Sequence, residues 1–207
     1  MTPILGRRAT LAGLAGLGLA AVLSAAALAQ NVPVVEELAL GAADAPVTVV
    51  EYASYTCPHC AAFHAQVFKP LKADYIDTGK VRFIFREVYF DRYGLWAAMV
   101  ARCAGVDRYF GLSGLLFDRQ REWATAADAT GVVAQLKTIG KVAGLDDATL
   151  DACLKDGAKA EALVADFQAK TTADGIDSTP TLIVNGTKHS NMGYEDLKKI
   201  IDQALAG

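Results

Sequence analysis

The sequence predicts an α/β domain that is interrupted by an inserted α-helical subdomain. Three observations carry this prediction: a strand–helix–strand pattern in the first third of the chain, a long middle stretch with helical patterns alone, and a strand–turn–strand–helix pattern at the end. We therefore expect residues 30–90 and 176–207 to form one domain and 91–175 to form the insertion. The 207 residues suffice for one compact domain enlarged in this way.

The first part begins with a predicted strand at 47–52, which is rich in β-branched residues and reads as a buried central strand. A helix follows at Pro58, a residue that suits a first turn, and continues to 78–79, with an expected kink at Pro70. A second strand at 81–88 completes a βαβ unit with a parallel pair. One face of the helix carries Cys60, Phe63, Val67, Leu71 and Tyr75.

The middle stretch shows amphipathic segments and no strand pattern between 91 and 174. Breaks are predicted at 105–107, 123–125, 144–147 and near Gly157. The stretch exceeds a simple βαβ crossover, which predicts a separate helical subdomain.

The last part opens at Thr179-Pro180 with a predicted strand at 181–184. Asn185-Gly186 is the preferred two-residue turn of a hairpin, and a short strand at 187–190 follows. A closing helix is expected to cover one face of the sheet with Leu197, Ile200, Ile201 and Leu205.

The N-terminus is typical of a signal peptide over residues 1–29. Arg7 and Arg8 form a positive region, 11–28 is apolar, and 27–29 is a small-x-small cleavage site, so that the mature chain would begin near Gln30. A retained membrane anchor is the alternative. Both twin-arginine and general secretory export fit the pattern. We expect a periplasmic or otherwise extracytoplasmic protein.

Charge excludes one class of partner. The formal net charge is −3, and the chain has no basic run that could neutralise a row of phosphates, so nucleic acid is not an expected partner. The sequence also calls for no cofactor.

The informative motif is Cys57-Pro58-His59-Cys60, which follows a strand and begins a helix. Unpaired N–H groups and the helix dipole favour negative charge there, so the pKa of Cys57 is expected in the range of about 3.5 to 7.5. A charged or hydrogen-bonding His59 would favour the same anion. We expect Cys60 to be buried and to act as the resolving thiol.

Two other interpretations of the pair remain open. The two cysteines could form a structural disulfide, or Cys57, Cys60 and His64 could bind zinc. A structural zinc site usually needs a second spaced pair of ligands, which the sequence does not supply, so we expect no metal.

The signal, the strand, this motif, the helical stretch and Thr179-Pro180 before a hairpin and helix together resemble the DsbA family of the thioredoxin superfamily. The resemblance implies a thioredoxin-like fold with a helical insertion. It further implies that Pro180 is cis and lies beside the disulfide, that Thr179 presents backbone groups to substrate, and that Pro58 also contacts substrate. The alternative for Pro180 is an ordinary trans proline at an edge strand.

Glu51 interrupts the apolar central strand. It resembles the buried acid that assists proton transfer at the second cysteine in this family, and the alternative is an exposed carboxylate at a strand end. A buried carboxylate needs a partner, for which Arg86 on the next strand is the candidate.

Cys103 and Cys153 lie in the predicted insertion. In an oxidising compartment two such cysteines most often pair, so we predict a second, structural disulfide, with buried free thiols as the alternative. Core or boundary packing is the preferred role, over a peptide groove, for most of the aromatic residues Tyr89, Phe90, Trp96, Tyr109, Phe110 and Trp123.

The predicted function is donation of the Cys57–Cys60 disulfide to reduced exported proteins through a mixed disulfide at Cys57. The resemblance implies reoxidation by a DsbB-like membrane oxidase, and we expect a monomer. A disulfide isomerase or reductase is the second hypothesis, and a non-catalytic secreted binding protein with the same fold is the third.

Overall fold

The computed structural model describes residues 1–2 and 34–207. The predicted cleavage site and nearly all of the predicted signal peptide lie outside the described residues. Within the described part, no helix is both long and apolar enough to cross a membrane.

A five-stranded mixed sheet with the order β1-β3-β2-β4-β5 forms the centre of the fold. β2 pairs in parallel with β3, and the other three pairs are antiparallel. The sequence did not predict β1, a three-residue strand at the sheet edge. The strands are β1 (Leu38–Leu40), β2 (Val47–Ala53), β3 (Val81–Glu87), β4 (Thr181–Val184) and β5 (Thr187–Ser190).

The central strand β2 is buried on both faces. Val47 and Val49 face the larger core, whereas Val50 and Tyr52 face a smaller cluster that also contains Phe167. Side chains alternate between the faces of a strand, so Glu51 lies on the same face as Val49. The carboxyl group of Glu51 thus lies in the larger core.

The first helical segment follows β2 after a four-residue loop and continues through Pro70. It consists of α1 (Pro58–Phe63), a π-helical segment (His64–Phe68), α2 (Lys69–Leu71) and a second π-helical segment (Lys72–Ile76). Pro70 lacks the N–H group that an α-helical hydrogen bond would need, and a π-helical segment lies on each side of α2, which contains it. The α-helix is therefore interrupted where the sequence predicts a kink. This helix brings Cys60 and Phe63 into the core.

The insertion is helical and has no strand, as the sequence predicts, and it contains six helices. An additional break at Arg119, which separates α4 from α5, was not predicted. The helices are α3 (Arg92–Cys103), α4 (Val106–Asp118), α5 (Gln120–Ala124), α6 (Ala129–Val142), α7 (Asp147–Lys155) and α8 (Gly157–Ala173).

The C-terminal part returns the chain to the sheet. Asn185 and Gly186 form the predicted turn, both with positive φ (44° and 84°). The last helix, α9 (Tyr194–Ala206), packs against β2 and α2, with Leu197 and Ile201 fully buried. The described chain therefore has the α/β sheet with helical insertion that the sequence predicts.

Candidate active site

Cys57 lies at the N-cap of α1, at the carboxyl end of the central strand. Its backbone is extended (φ −82°, ψ 118°), and its carbonyl oxygen accepts hydrogen bonds from the N–H groups of Cys60 and Ala61. Pro58 occupies the first turn, where a missing N–H group does no harm. The local sequence therefore places one sulfur at the helix entrance and the other one turn inside.

The surroundings of Cys57 favour its thiolate. Its pKa falls from an ordinary 9.0 to about 5, mainly because the Cys60 thiol donates a hydrogen bond to its sulfur, with help from the N–H groups of His59 and Cys60. Partial burial opposes this shift without overcoming it. Cys57 is therefore ionised at neutral pH while it remains partly accessible.

Cys60 has the opposite character. It is fully buried, and burial together with the hydrogen bond to Cys57 raises the pKa of its thiol far above the ordinary value. Both cysteines are thiols in this structure. Within one helical turn the protein thus holds an anionic sulfur and a neutral one.

Glu51 lies in the core, with only 4% of its surface exposed. Burial, and then the negative charge of Cys57, raise its pKa to about 8, so the carboxyl is mostly protonated at neutral pH. Beside it is a cavity of about 10 Å³ that is also lined by His64 and Ser113 and by several phenylalanines. The charge of Glu51 in turn contributes to the raised pKa of Cys60.

Arg86 is not the partner of Glu51, and that prediction is wrong. In the β2–β3 register Glu51 lies opposite Phe85, whereas Arg86 lies opposite Tyr52 and therefore on the other face of the sheet. The guanidinium of Arg86 instead donates to Glu37, Asp174 and the Tyr52 hydroxyl. Protonation, in place of an ion pair, is what makes the burial of Glu51 tolerable.

The Thr179–Pro180 peptide bond is cis and lies beside the motif. The carbonyl oxygen of Thr179 is 3.5 Å from the Cys57 sulfur, and the thiol form of Cys57 donates to it. Pro180 is buried directly before β4, the neighbour of β2 in the sheet. Residues far apart in sequence thus meet at Cys57.

The two histidines near the motif lie in different environments. His59 is exposed, and its backbone N–H group is the part that favours the Cys57 anion. The His64 ring stacks on Phe68 and Phe117, and burial lowers its pKa to about 4. No group of three or more His, Cys, Asp and Glu residues in the described part of the chain could hold a metal ion.

Sequence reasoning missed Gln120, the first residue of α5. It is 6% exposed, and its side-chain amide donates to the carbonyl oxygens of Tyr55 (2.7 Å) and Cys57 (2.9 Å). A single glutamine in a helical stretch carries no sequence signal for such a contact. The break at Arg119 is the local feature that begins α5 at this point.

Outside this site, Cys103 and Cys153 form a disulfide between α3 and α7, with an S–S distance of 2.00 Å. Of the six aromatic residues considered in the sequence analysis, Trp123 and Tyr109 are fully buried, whereas Phe90 is 61% exposed. The remaining three pack against the core while partly buried: Tyr89, Trp96 and Phe110.

Comparison with known proteins places this geometry in a family. The family model described as thioredoxin matches residues 34–203. The chain belongs to the thioredoxin family. Its relatives and structural neighbours make it a DsbA-like member of that superfamily.

Among relatives of this DsbA-like chain, a Rickettsia bellii protein, whose name assigns it to the protein-disulfide oxidoreductases, is 32% identical over 170 residues. The match covers 82% of this chain and 64% of that protein, so the chain spans less than two thirds of the relative's length. The disulfide bond formation protein D of Bacillus subtilis is 29% identical, with 81% of this chain and 77% of that protein covered.

Solved structures show the same likeness. Alpha-DsbA1 of Wolbachia pipientis is 28% identical, with a TM-score of 0.76 over 84% of this chain and 93% of that one. Oxidised BdbD from Bacillus subtilis is 28% identical, with a TM-score of 0.73 over 83% of this chain and 94% of that one. The expected thioredoxin-like fold with a DsbA-type helical insertion is therefore confirmed.

Proposed function

We propose that the protein is an exported thiol–disulfide oxidoreductase that donates a Cys57–Cys60 disulfide to reduced proteins. The observation that carries this proposal is the opposite shift of two thiol pKa values within one helical turn. A stabilised Cys57 thiolate stabilises the reduced protein, which makes its disulfide a strong oxidant. The names of the relatives point to the same chemistry.

The exchange has two steps. A substrate thiolate attacks the Cys57 sulfur of the oxidised protein, a mixed disulfide forms, the Cys57–Cys60 bond breaks, and Cys60 leaves. A second substrate thiolate then attacks the substrate sulfur of the mixed disulfide and expels Cys57 as a stable thiolate. The substrate loses two electrons and gains a disulfide, and the protein ends as the dithiol.

Glu51 supplies a proton in the first step. Cys60 leaves as an anion in a buried site that strongly favours its neutral thiol. A carboxyl with a pKa of about 8 in the same core holds a proton at neutral pH and can release it to that anion, directly or through the small cavity. This role matches the buried acid that the family resemblance implies.

The residues around Cys57 offer a place for a peptide. The Thr179 carbonyl oxygen next to the Cys57 sulfur can accept a backbone hydrogen bond from an extended substrate, and Pro180 follows it directly in the chain. On the other side of the motif, Pro58 lines an open cavity of about 330 Å³ together with Ala61 and Phe117. We therefore retain Pro58, Thr179 and Pro180 as substrate-contacting residues.

The setting of the reaction follows from the same proposal. The protein acts outside the cytoplasm as a monomer after signal cleavage near Ala29, and it needs a membrane oxidase of the DsbB type, or an equivalent oxidant, to restore its disulfide. A disulfide isomerase or reductase uses the same residues in the opposite direction. A non-catalytic binding protein would not need an ionised Cys57.

The reduction potential and the alkylation rate of Cys57 test the proposal together. Equilibration with glutathione should give a potential near −120 mV, the value of a strong oxidant, and iodoacetamide should modify Cys57 with a midpoint near pH 5. Cys57→Ser, with Cys60 as its only remaining active-site thiol, should show no such modification.

Two outcomes would contradict the proposal. A potential near that of thioredoxin, about −270 mV, would support the reductase. A Cys57 that reacts only near pH 9, the ordinary pKa of its thiol, would favour the binding protein.

A further inference from the structure

We infer that Gln120 is a positioning residue through which the helical insertion holds Cys57 in its ionised, strongly oxidising state. Gln120 belongs to the insertion, yet its side-chain amide donates both of its hydrogen bonds to the active-site loop, residues 54–57 between β2 and α1. The inference rests on the proposed function, because it concerns the redox state of the same sulfur.

The contact is built as a clamp. The side-chain amide of glutamine has two N–H donors, and here the acceptors are the carbonyl oxygens of Tyr55 and Cys57, on either side of Thr56. Both acceptors are oxygens, so the nitrogen end of the amide has to face the loop. Two bonds from one planar group fix the orientation of the short segment between them.

The clamped segment also has local support, because the Cys57 carbonyl oxygen accepts hydrogen bonds from the N–H groups of Cys60 and Ala61 as well. The N–H group of Cys57 donates to Ser54, and the Thr56 hydroxyl donates to Asp91. To these bonds Gln120 adds a contact from the insertion to the Cys57 carbonyl itself, and it thereby helps to hold the direction of the Cys57 backbone and of its sulfur.

That direction determines the stability of the thiolate. The Cys60 thiol and the N–H groups of His59 and Cys60 favour the anion only while the sulfur stays above the first turn of α1. The Gln120 amide is also a buried dipole whose positive end lies at the Cys57 carbonyl. Loss of this contact would loosen the sulfur and remove part of the positive potential around it.

The test compares Gln120→Met with wild type. Methionine has a similar length and volume but no N–H donor, so it keeps the packing and removes both bonds. We expect a higher pKa for Cys57, read from thiolate absorbance against pH. We also expect the equilibrium with glutathione to shift by about tenfold toward the oxidised protein, which is about 30 mV toward a weaker oxidant.

Two further variants make the result specific. Gln120→Asn keeps an amide on a shorter side chain, which cannot reach both carbonyls, and should shift the pKa and the potential in the same direction by a smaller amount. Gln168→Met changes an exposed glutamine of α8 in the same way and should leave both quantities at their wild-type values.

The possible outcomes are separable. If wild type is a strong oxidant and Gln120→Met keeps its Cys57 pKa and potential, the inference is wrong even if the variant unfolds more easily, because Gln120 would then have a purely structural role. If wild-type Cys57 has an ordinary pKa, the proposed function itself fails. Should Gln120→Met not fold, Gln120→Asn alone decides, and unchanged values would overturn the inference.

Discussion

Among individual residues, Glu51 shows how burial sets chemistry. It is a carboxylic acid in the core, and its pKa of about 8 means that the folded protein keeps a proton that the unfolded chain releases above its ordinary pKa of 4.5. Folding and proton binding are therefore linked between these two values. In this window the folded state binds more protons than the unfolded state.

This linkage predicts how stability depends on pH. As pH rises from 4.5 to 8, Glu51 should make the free energy of unfolding fall, by about 1.4 kcal/mol per unit where the dependence is steepest. Urea unfolding of wild type and Glu51→Gln across this range measures the effect, which the variant should lack. The oxidised protein is used because the Cys57 pKa, lowered on folding, would contribute the opposite slope to the dithiol. Burial, the larger cause of the raised Glu51 pKa, remains in that form, whereas the Cys57 charge is absent, so the fall should end below pH 8.

Glu161→Gln is the matched control, because Glu161 is an exposed residue of α8. It should retain the pH dependence of wild type. Parallel curves for wild type and Glu51→Gln would mean that the Glu51 carboxyl titrates normally and cannot hold the proton for Cys60.

At the scale of elements, a buried ion pair joins the sheet to the insertion. Glu87, the last residue of β3, accepts hydrogen bonds from Arg102 of α3 at 2.8 Å and from Tyr109 of α4 at 2.7 Å. The side chains of Glu87 and Arg102 are 2% and 10% exposed. Removal of one charge would leave the other without compensation in the core.

A double-mutant cycle measures this coupling. Arg102→Met and Glu87→Gln should each lower the free energy of unfolding by about 3 kcal/mol or more, because each leaves an unpaired buried charge. The double variant should lose clearly less than the sum of the two. Lys199→Met breaks an exposed pair with Asp196 and should have little effect. Additive losses would show that the pair does not join the two parts.

Elements with a strong local pattern were predictable from the sequence, and elements set by tertiary contacts were not. The β-branched run of β2 and the Asn185-Gly186 turn carry their own signals, and both occur where they were expected. β1 has only three residues and exists because the edge of β3 pairs with it. The break at Arg119 likewise has no proline or glycine to mark it.

The candidate site divides in the same way. The motif showed where two thiols would lie, since a helix start fixes their spacing and environment. Sequence alone did not reveal the contact of Gln120, which depends on how the insertion packs on the loop. The error about Arg86 has the same cause, because the register of β2 and β3, which places Arg86 on the face opposite Glu51, is set by tertiary pairing.

At the scale of the whole molecule, the chain separates two kinds of cysteine pair. Cys57 and Cys60 lie next to each other at a helix entrance, where a disulfide can open and close. Cys103 and Cys153 are 50 residues apart and join α3 to α7 within the insertion. A link across that separation restricts the unfolded chain far more than a link across two residues.

The long-range disulfide should therefore stabilise the fold without affecting exchange. Cys103→Ala/Cys153→Ala should lower the free energy of unfolding by about 2 to 4 kcal/mol, as expected for a closed loop of this length. Cys103 ends α3, whereas the contact of that helix with the active-site loop, Asp91 to Thr56, lies at its start. The Cys57 pKa and the reduction potential should thus equal those of wild type, and a shift in either would show that the insertion disulfide also controls the exchanging pair.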